Sequence, residues 1–362
     1  MENTKYLKAG DWVQVCSAEE IAKTLDESGA LLGLPFMREM SEHCGKRFRV
    51  SRRALKTCIE GMGMRWFPND DVVVLEELRC SGTAHDGCQK ACLLFWKELW
   101  LNQVDDRLRE RLPANNDASV SCEDSRSDPV PRNPGNGADG AMSDAAEGNG
   151  YELGGNRFIQ ATGRIRSAMW HEPDYQTSGG KSYCCQSTQL VKCTKPLRAA
   201  RRLWLALKDW LIGNFGPFEI MKSFVIPFMN KISEHLMFGV LHPKACRQTP
   251  EESMNLQPGE WVEVKPFKEI AISLDAMGCN RGLPFTGYMI PYCKRRLRVK
   301  SRVERIILEA TGKMREISNT VTLEGAVCES YNCFGGCPRY QNHFWREIWL
   351  RRVEPKENGN SE

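Results

Sequence analysis

Long apolar runs are missing from this sequence. No stretch reaches the roughly 18 uninterrupted apolar residues that a membrane-spanning helix requires. The first residues, Met1 to Lys5, are not followed by the apolar region of a secretory signal peptide. We therefore expect a cytoplasmic protein without a transmembrane segment.

The familiar catalytic signatures are also missing. The sequence has no glycine-rich phosphate loop, no GxSxG elbow, no HExxH helix and no dinucleotide-binding fingerprint. The formal net charge of +4 is too small to indicate a nucleic-acid partner. The aromatic strip from Phe95 to Trp100 is more typical of a core than of a base-stacking platform. Enzymatic activity stays an open question, and the expected partner is a protein or a small molecule.

Cysteine, by contrast, is abundant, with 16 in the chain. Because the cytoplasm is reducing, clustered cysteines there indicate metal ligands or catalytic thiols rather than disulfides. Scattered ones such as Cys16 are expected to be ordinary small residues.

The sequence contains one pattern twice. The segment Gly10 to Val15 recurs as Gly259 to Val264, an offset of 249 residues (259 − 10). The same offset relates Cys44 to Cys293, and it relates an FWKE motif to a later FWRE motif. So many ordered matches indicate an internal duplication.

The patterns within each copy predict mostly short strands. Trp12 to Val15 alternates as a half-buried strand does, and Ser17 with Glu20 predicts the capped start of one short helix. We expect a mainly β fold with some α: two copies of a small SH3-like barrel domain, joined by a disordered linker and a helical middle segment. The expected boundaries are a first cysteine-rich β repeat at 1–112, a disordered linker at 113–156, a helical middle segment at 157–256, a second cysteine-rich β repeat at 257–354 and a disordered tail at 355–362.

Residues 196–232 of the middle segment carry apolar residues at helical spacing. Gly213 to Pro217 should divide this stretch into two helices. The first helix opens with basic residues, among them Arg198, Arg201 and Arg202. We expect it to pack on the repeats with its basic face in water. Peripheral contact of 196–232 with a membrane surface is the alternative.

The first repeat can supply a metal site from its own residues. Cys80, Cys88 and Cys92 lie within thirteen residues, and the glycines between them allow tight turns. Cys44 precedes a strand and could complete the site. The preferred set is therefore Cys44, Cys80, Cys88 and Cys92, with Cys58 or His85 as the substitute.

The second repeat is less complete. It supplies Cys293, Cys328 and Cys337, and it has Ile307 and Gln341 where the first repeat has Cys58 and Cys92. The fourth ligand could be Cys333, His343 or a cysteine of the middle segment, for which Cys185 is the preferred candidate. Three ligands and an open position would also suit a catalytic metal or a [4Fe-4S] cluster.

The identity of the metal is left between two choices. Paired CxxC knuckles, which would indicate zinc strongly, are not present. Zinc is slightly favoured, because a tetrahedral ion can replace a missing core in a small β domain. The numerous thiols and the open position favour a [4Fe-4S] cluster.

The duplicated pattern GDWVxV…LPF…C…RV…C…C…FWKExWL resembles that of a group of bacterial cysteine-rich proteins whose activity is uncharacterised. The group shares a duplicated SH3-like domain and an aromatic-Cys-Gln-Ser-Thr element, here Tyr183 to Thr188. The chain departs from the pattern at Lys294, where the first repeat has Gly45. The resemblance implies the architecture and leaves the chemistry open.

Overall fold

A computed structural model describes residues 6–104, 181–216, 249–328 and 337–354, together with the single positions 218, 221 and 225. The predicted linker at 113–156, the predicted tail at 355–362 and Cys333 lie outside the described residues.

The N-terminal sheet domain, residues 6–104, is built on a five-stranded antiparallel sheet. Its elements are β1 (Trp12–Val15), α1 (Ala18–Ala22), β2 (Ala30–Leu31), β3 (Leu34–Pro35), β4 (Arg47–Arg53), β5 (Lys56–Ile59), β6 (Gly63–Trp66), β7 (Val72–Arg79), β8 (Leu93–Lys97) and β9 (Leu101–Gln103). The large sheet has the order β8-β7-β4-β1-β9. As predicted, α1 begins with a capping box between Ser17 and Glu20.

Within residues 181–216, the middle segment forms two helices and one short strand. These are α2 (Gln186–Cys193), β10 (Lys195–Pro196) and α3 (Ala199–Leu211). Strands β5 and β6 of the N-terminal domain form a second, smaller sheet, and β10 pairs with β6 to make it three-stranded in the order β10-β6-β5. The Gln186 amide donates to the carbonyl oxygens of Pro35 and Phe95 at 3.0 and 2.9 Å, which fixes α2 against β8.

The C-terminal sheet domain, residues 249–354, contains a second five-stranded sheet. Its elements are β11 (Trp261–Val264), α4 (Phe267–Ile272), β12 (Cys279–Asn280), β13 (Leu283–Pro284), β14 (Arg296–Arg302), β15 (Arg305–Ile307), β16 (Met314–Glu316), β17 (Thr320–Leu323), β18 (Trp345–Arg346) and β19 (Leu350–Arg352). The large sheet has the order β18-β17-β14-β11-β19.

The two large sheets are similar in order and in register. Trp12 pairs with Arg49 in the first, and Trp261 pairs with Arg298 in the second. The pairing register shifts within β4 directly after Val50, and it shifts within β14 directly after Val299. The expectation of a mainly β protein with some α is confirmed at this level.

The aromatic strips close the two cores. Trp96 and Trp100 are fully buried in the N-terminal domain, and Trp345 and Trp349 are fully buried in the C-terminal domain. This confirms the expectation that these residues serve packing. Around Leu297 and Val299 the basic side chains of β14 point to solvent, because the opposite face of the strand is buried.

The two domains contact each other directly. The side-chain oxygen of Gln89 accepts hydrogen bonds from the backbone of Glu304 and Arg305 at 2.6 and 3.1 Å. The backbone nitrogen of Glu60 donates to Glu309 at 3.1 Å. The loop between β7 and β8 is therefore part of the interface with the C-terminal domain.

Helix α3 packs on the N-terminal domain, as expected, but most of its large apolar side chains face outward instead of towards the domain. The side turned to the protein carries Leu205, Ala206 and Asp209, all buried, whereas the outward side carries large apolar residues. The helix ends at Leu211, and Gly213 follows with a φ of 75°, close to the predicted break. Among the described helices, none is long and apolar enough to cross a membrane.

Candidate metal centre

The candidate centre is organised by the loop between Cys80 and Cys92. Cys80 follows β7 and Cys92 precedes β8, and the backbone nitrogen of Cys80 donates to the Cys92 carbonyl at 2.8 Å. Within the loop, the carbonyl oxygen of Gly82 accepts a hydrogen bond from the backbone nitrogen of His85 at 2.9 Å. Gly82 has a φ of 75°, and a Cβ atom there would stand 1.9 Å from the Cys88 carbonyl oxygen. Only glycine fits this close approach of backbone to backbone.

The loop places Cys80 and His85 beside Glu39. Glu39 lies on a short 3-10 turn, Arg38–His43, that packs under the loop. Its Oε2 is 3.7 Å from His85 Nδ1. Within the described ranges, one set of three potential ligand atoms lies within 4.8 Å of one another, and it consists of Glu39, Cys80 and His85.

Glu39 and His85 have buried polar atoms that a metal ion would satisfy. Glu39 and His85 are 5% and 6% exposed. Among the described residues, neither oxygen of the Glu39 carboxyl group has a nitrogen or oxygen hydrogen-bond donor, and His85 Nδ1 has no hydrogen-bond partner. The donor beside the Glu39 carboxylate is the Cys80 thiol. Burying a carboxylate without a partner is costly, whereas a cation held between these atoms would satisfy them. Carboxylate, thiolate and imidazole are all zinc ligands.

Two residues of this set, Cys80 and His85, form part of the wall of a small cavity of about 20 Å³, whereas Glu39 does not line it. Four thiols line this cavity together with His85, and they belong to Cys80, Cys88, Cys92 and Cys185. Helix α2 contributes the last of them, at the residue before its first turn. The volume is sufficient for one water molecule or one ion.

Positive charge and hydrogen-bond donors surround the Cys92 end of the cavity. The Ser187 hydroxyl donates to Cys92 Sγ at 3.1 Å, and a guanidinium nitrogen of Arg339 lies 4.0 Å from the same sulfur. The buried side chain of Lys90 also faces the cavity. These groups would stabilise the negative charge that the sulfur atoms acquire when a cation displaces their protons.

Burial favours the protonated thiol form of Cys80, Cys88 and Cys185 in the absence of a cation. Burial raises the pKa of Cys80, and the neighbouring Glu39 carboxylate raises it further. Burial likewise raises the pKa of Cys88, and it raises that of Cys185 to about 12. A metal that binds these sulfurs must therefore displace protons, so binding should weaken at low pH.

The residues expected for the first site divide into two groups. Cys80, Cys88, Cys92 and the substitute His85 lie together at the cavity. Cys44 does not line that cavity; it packs against the domain core, where burial and the nearby Cys16 raise its pKa to about 11. The other substitute, Cys58, contacts the C-terminal domain instead, with its Sγ 3.6 Å from that of Cys337.

The residues expected for the second site are spread over the structure. Cys185 lines the cavity of the N-terminal domain, and Cys337 contacts Cys58. Cys328 repeats the backbone arrangement of Cys80, since its nitrogen donates to the Gln341 carbonyl at 2.8 Å. Cys293 packs against the C-terminal core.

His343 is buried between aromatic rings. Its ring centroid lies 5.9 Å from that of Tyr292 and 6.3 Å from that of Trp345. Burial lowers its pKa to about 4. The second set of ligands stays a prediction, because Cys333 lies outside the described residues.

Glu39 is the site residue that the sequence did not indicate. It stands in the stretch Phe36-Met37-Arg38-Glu39-Met40, where Phe36, Met37 and Met40 are buried. In the sequence, the only indication of its role was an acidic residue placed among apolar neighbours. Its partners are more than forty residues away in the chain, and only the folded loop brings them to it.

No family model, no curated protein and no solved structure matches this chain.

Proposed function

We propose that this protein binds one zinc ion through Glu39, Cys80 and His85, with a fourth position that opens onto the thiol-lined cavity. The observation that carries the proposal is a set of three ligand atoms within 4.8 Å of one another, on buried Glu39, buried His85 and half-buried Cys80. Among the described residues, the carboxylate oxygens have no nitrogen or oxygen donor, and the imidazole Nδ1 has no hydrogen-bond partner. Zinc is preferred because it accepts oxygen, sulfur and nitrogen ligands in one tetrahedral shell.

The ion would act on the interface between the two sheet domains. Two of its three ligands lie on the Cys80 to Cys92 loop, and Gln89 of that loop binds the backbone of β15 in the C-terminal domain. Fixing the loop therefore fixes the surface on which the second domain docks. The role is structural, and the interaction surface is the contact between the domains.

The proposal includes the origin and setting of the two domains. The shared strand order and the offset of 249 residues support an internal duplication, with each copy an SH3-like barrel domain. We place the protein in the cytoplasm, where the thiols would stay reduced. A second site that uses Cys293, Cys328 and Cys337 remains part of the proposal.

A [4Fe-4S] cluster is the second candidate, and one observation favours it. Cys80, Cys88, Cys92 and Cys185 line a single cavity, yet no three of their sulfur atoms lie within 4.8 Å of one another. A tetrahedral zinc site with Zn–S bonds of about 2.3 Å places its sulfurs about 3.8 Å apart. A wider arrangement of four thiols suits a larger group, for which the cavity of about 20 Å³ would have to expand. The two candidates share Cys80 and are therefore exclusive.

The test is metal analysis of the full chain, purified without oxygen. Zinc at one equivalent or more in a colourless protein is the expected result. Glu39→Gln and His85→Ala should each lose one equivalent of zinc, whereas Cys185→Ser should retain it. Cys44→Ser is the matched control, because this thiol does not line the cavity.

The cluster candidate makes the opposite set of predictions. A brown protein that contains iron, loses it in Cys185→Ser and keeps it in Glu39→Gln would overturn the zinc proposal. A protein with neither metal would overturn both.

A further inference from the structure

The outward face of α3 is apolar, whereas the outward face of an ordinary surface helix is polar. Its exposed large side chains lie on one side of the helix and belong to Leu203, Trp204, Leu207, Trp210 and Leu211. Leu203 is 60% exposed and Leu211 is 69% exposed. A soluble helix normally turns such a stripe to the core. A contiguous apolar stripe at the surface indicates an interaction site.

Polar contacts prevent the helix from turning this face inward. Lys56 Nζ and the Asp209 carboxylate form an ion pair at 2.7 Å, and both side chains are only 2% exposed. Beyond the helix, the Asn214 amide donates to the Arg53 carbonyl at 2.8 Å and to Asp209 at 2.7 Å. Rotation of α3 would leave a buried charge unpaired, which is strongly unfavourable. The apolar stripe is therefore held towards the outside.

The apolar surface continues beyond the helix. Positions 218, 221 and 225 are helical, and their side chains Phe218, Met221 and Val225 are exposed. Their spacing of three and four residues places them on one face of a helix. Large apolar side chains are thus exposed on α3 and at these three helical positions beyond it.

Basic residues flank the start of the stripe. Arg198 and Arg201 are exposed at the first turn of α3, and Lys195 is exposed just before it. No acidic residue stands in that turn. Cations at a helix N-terminus are disfavoured by the helix dipole, so their grouping here is not explained by helix stability. The Arg201 guanidinium lies over the Trp66 ring at 3.8 Å, which holds it at the surface beside the stripe.

We infer that α3 is a membrane-surface helix, which lies in the interface of a bilayer with anionic headgroups. The combination of leucine, tryptophan and flanking arginine fits that environment. The leucines would insert among the acyl chains, and Trp204 and Trp210 would lie at the level of the headgroups. The flanking cations would bind the anionic phosphates. The charge complementarity selects a lipid surface over an apolar groove of a protein partner. This inference is independent of the metal proposal.

The test is sedimentation of the full chain with vesicles. Two compositions are used, pure phosphatidylcholine and an equal mixture of phosphatidylcholine and phosphatidylserine. The protein should bind the mixed vesicles more tightly, and added salt should weaken that binding. Leu203→Gln with Leu207→Gln should reduce the affinity by more than about tenfold for each leucine that enters the bilayer. Lys195→Gln with Arg198→Gln should reduce the preference for the mixed vesicles.

The matched control is Leu32→Gln with Leu99→Gln. Both leucines are 58% exposed, close to Leu203, and they lie elsewhere on the N-terminal domain. This control should bind vesicles as the unaltered chain does. All four leucines are exposed, so circular dichroism should show every variant folded. Two results would overturn the inference: no binding to either vesicle, or a dimer of the unaltered chain that Leu203→Gln with Leu207→Gln dissociates. The second would assign the stripe to another copy of the chain.

Discussion

Lys90 of the N-terminal domain and Arg339 of the C-terminal domain bind the same carboxylate. Lys90 Nζ is 3.0 Å and Arg339 Nη2 is 2.6 Å from Glu309 Oε1, and all three side chains are buried. The two cations stand at corresponding positions in the offset of 249 residues, and so do Glu309 and Glu60. Lys90 also binds Glu60 at 3.2 Å. Corresponding residues of the two domains therefore meet in one ionic cluster, in which Glu60 is exposed and the other three side chains are buried.

Replacing Glu309 by glutamine should destabilise the contact between the domains. Burial opposes ionisation of Glu309, but Arg339 and Lys90 outweigh it and lower its pKa to about 2. The variant leaves two buried cations without this partner, and the loss should be about 3–5 kcal/mol. Chemical unfolding measures it. Glu304→Gln, an exposed glutamate beside the same interface, should change stability by less than about 0.5 kcal/mol. Equal losses in the two variants would contradict the assignment.

The stability of the C-terminal domain should fall between pH 6.5 and about 4 because of His343. Burial lowers the pKa of this imidazole from 6.5 to about 4. The unfolded chain therefore binds a proton at a higher pH than the folded domain does. The stabilising effect of the neutral ring is complete above pH 6.5 and is lost as the pH falls towards 4.

His343→Leu should remove that part of the pH dependence. Leucine is the residue at the corresponding buried position, Leu94, of the N-terminal domain. Thermal unfolding at a series of pH values provides the measurement. An unchanged profile would show that His343 does not titrate in this range. Loss of a bound metal in the variant would instead support His343 as a ligand of the second site.

Gly82→Ala should disrupt the metal site and the domain interface together. The added Cβ would meet the Cys88 carbonyl at 1.9 Å, so the loop must move. Gly45→Ala is the matched control, since its φ of 76° imposes the same backbone strain while open space surrounds the new atom. The control should cost about 1–2 kcal/mol and retain metal. Gly82→Ala should cost more and lose the metal, which titration with a chelating dye would detect. Retention of metal in both variants would argue against a ligand role for the loop.

Cys58 and Cys337 should form a disulfide between the two domains under oxidising conditions. Their sulfurs are 3.6 Å apart, and a disulfide requires about 2.0 Å. The hydrogen bond with Cys337 and burial together raise the pKa of Cys58, so exchange with a small disulfide reagent should be slow. Exposed Cys184 should react first. Peptide mass spectrometry without reduction identifies the bond.

Cys58→Ile is the informative control for this bond. It installs the residue found at the corresponding position, Ile307, of the C-terminal domain. It should abolish the crosslink and leave the fold intact. A crosslink from Cys337 to another cysteine would contradict the observed contact.

The sequence located part of the site but assigned its ligands incompletely. The grouping of Cys80, Cys88 and Cys92 followed from short spacing, and Gly82 has the positive φ that the tight turn required. Cys44 was assigned because it precedes a strand and could complete the first site, and Cys185 was the middle-segment candidate for the fourth ligand of the second site. The structure moves Cys185 to the first cavity and keeps Cys44 away from it. Contacts between distant segments decide which cysteines meet in the folded protein, and the spacing of cysteines along the sequence does not reveal those contacts.

The sequence by itself determined the repeated pattern, the β character and the buried tryptophans, because these depend on local alternation and on the burial of apolar side chains. Tertiary structure decided three other things. It placed Glu39 beside Cys80 and His85, joined the two domains at Glu309, and turned the apolar face of α3 outward. Each depends on contacts between distant segments, such as Lys56 with Asp209, whose burial and pairing arise only when the chain folds.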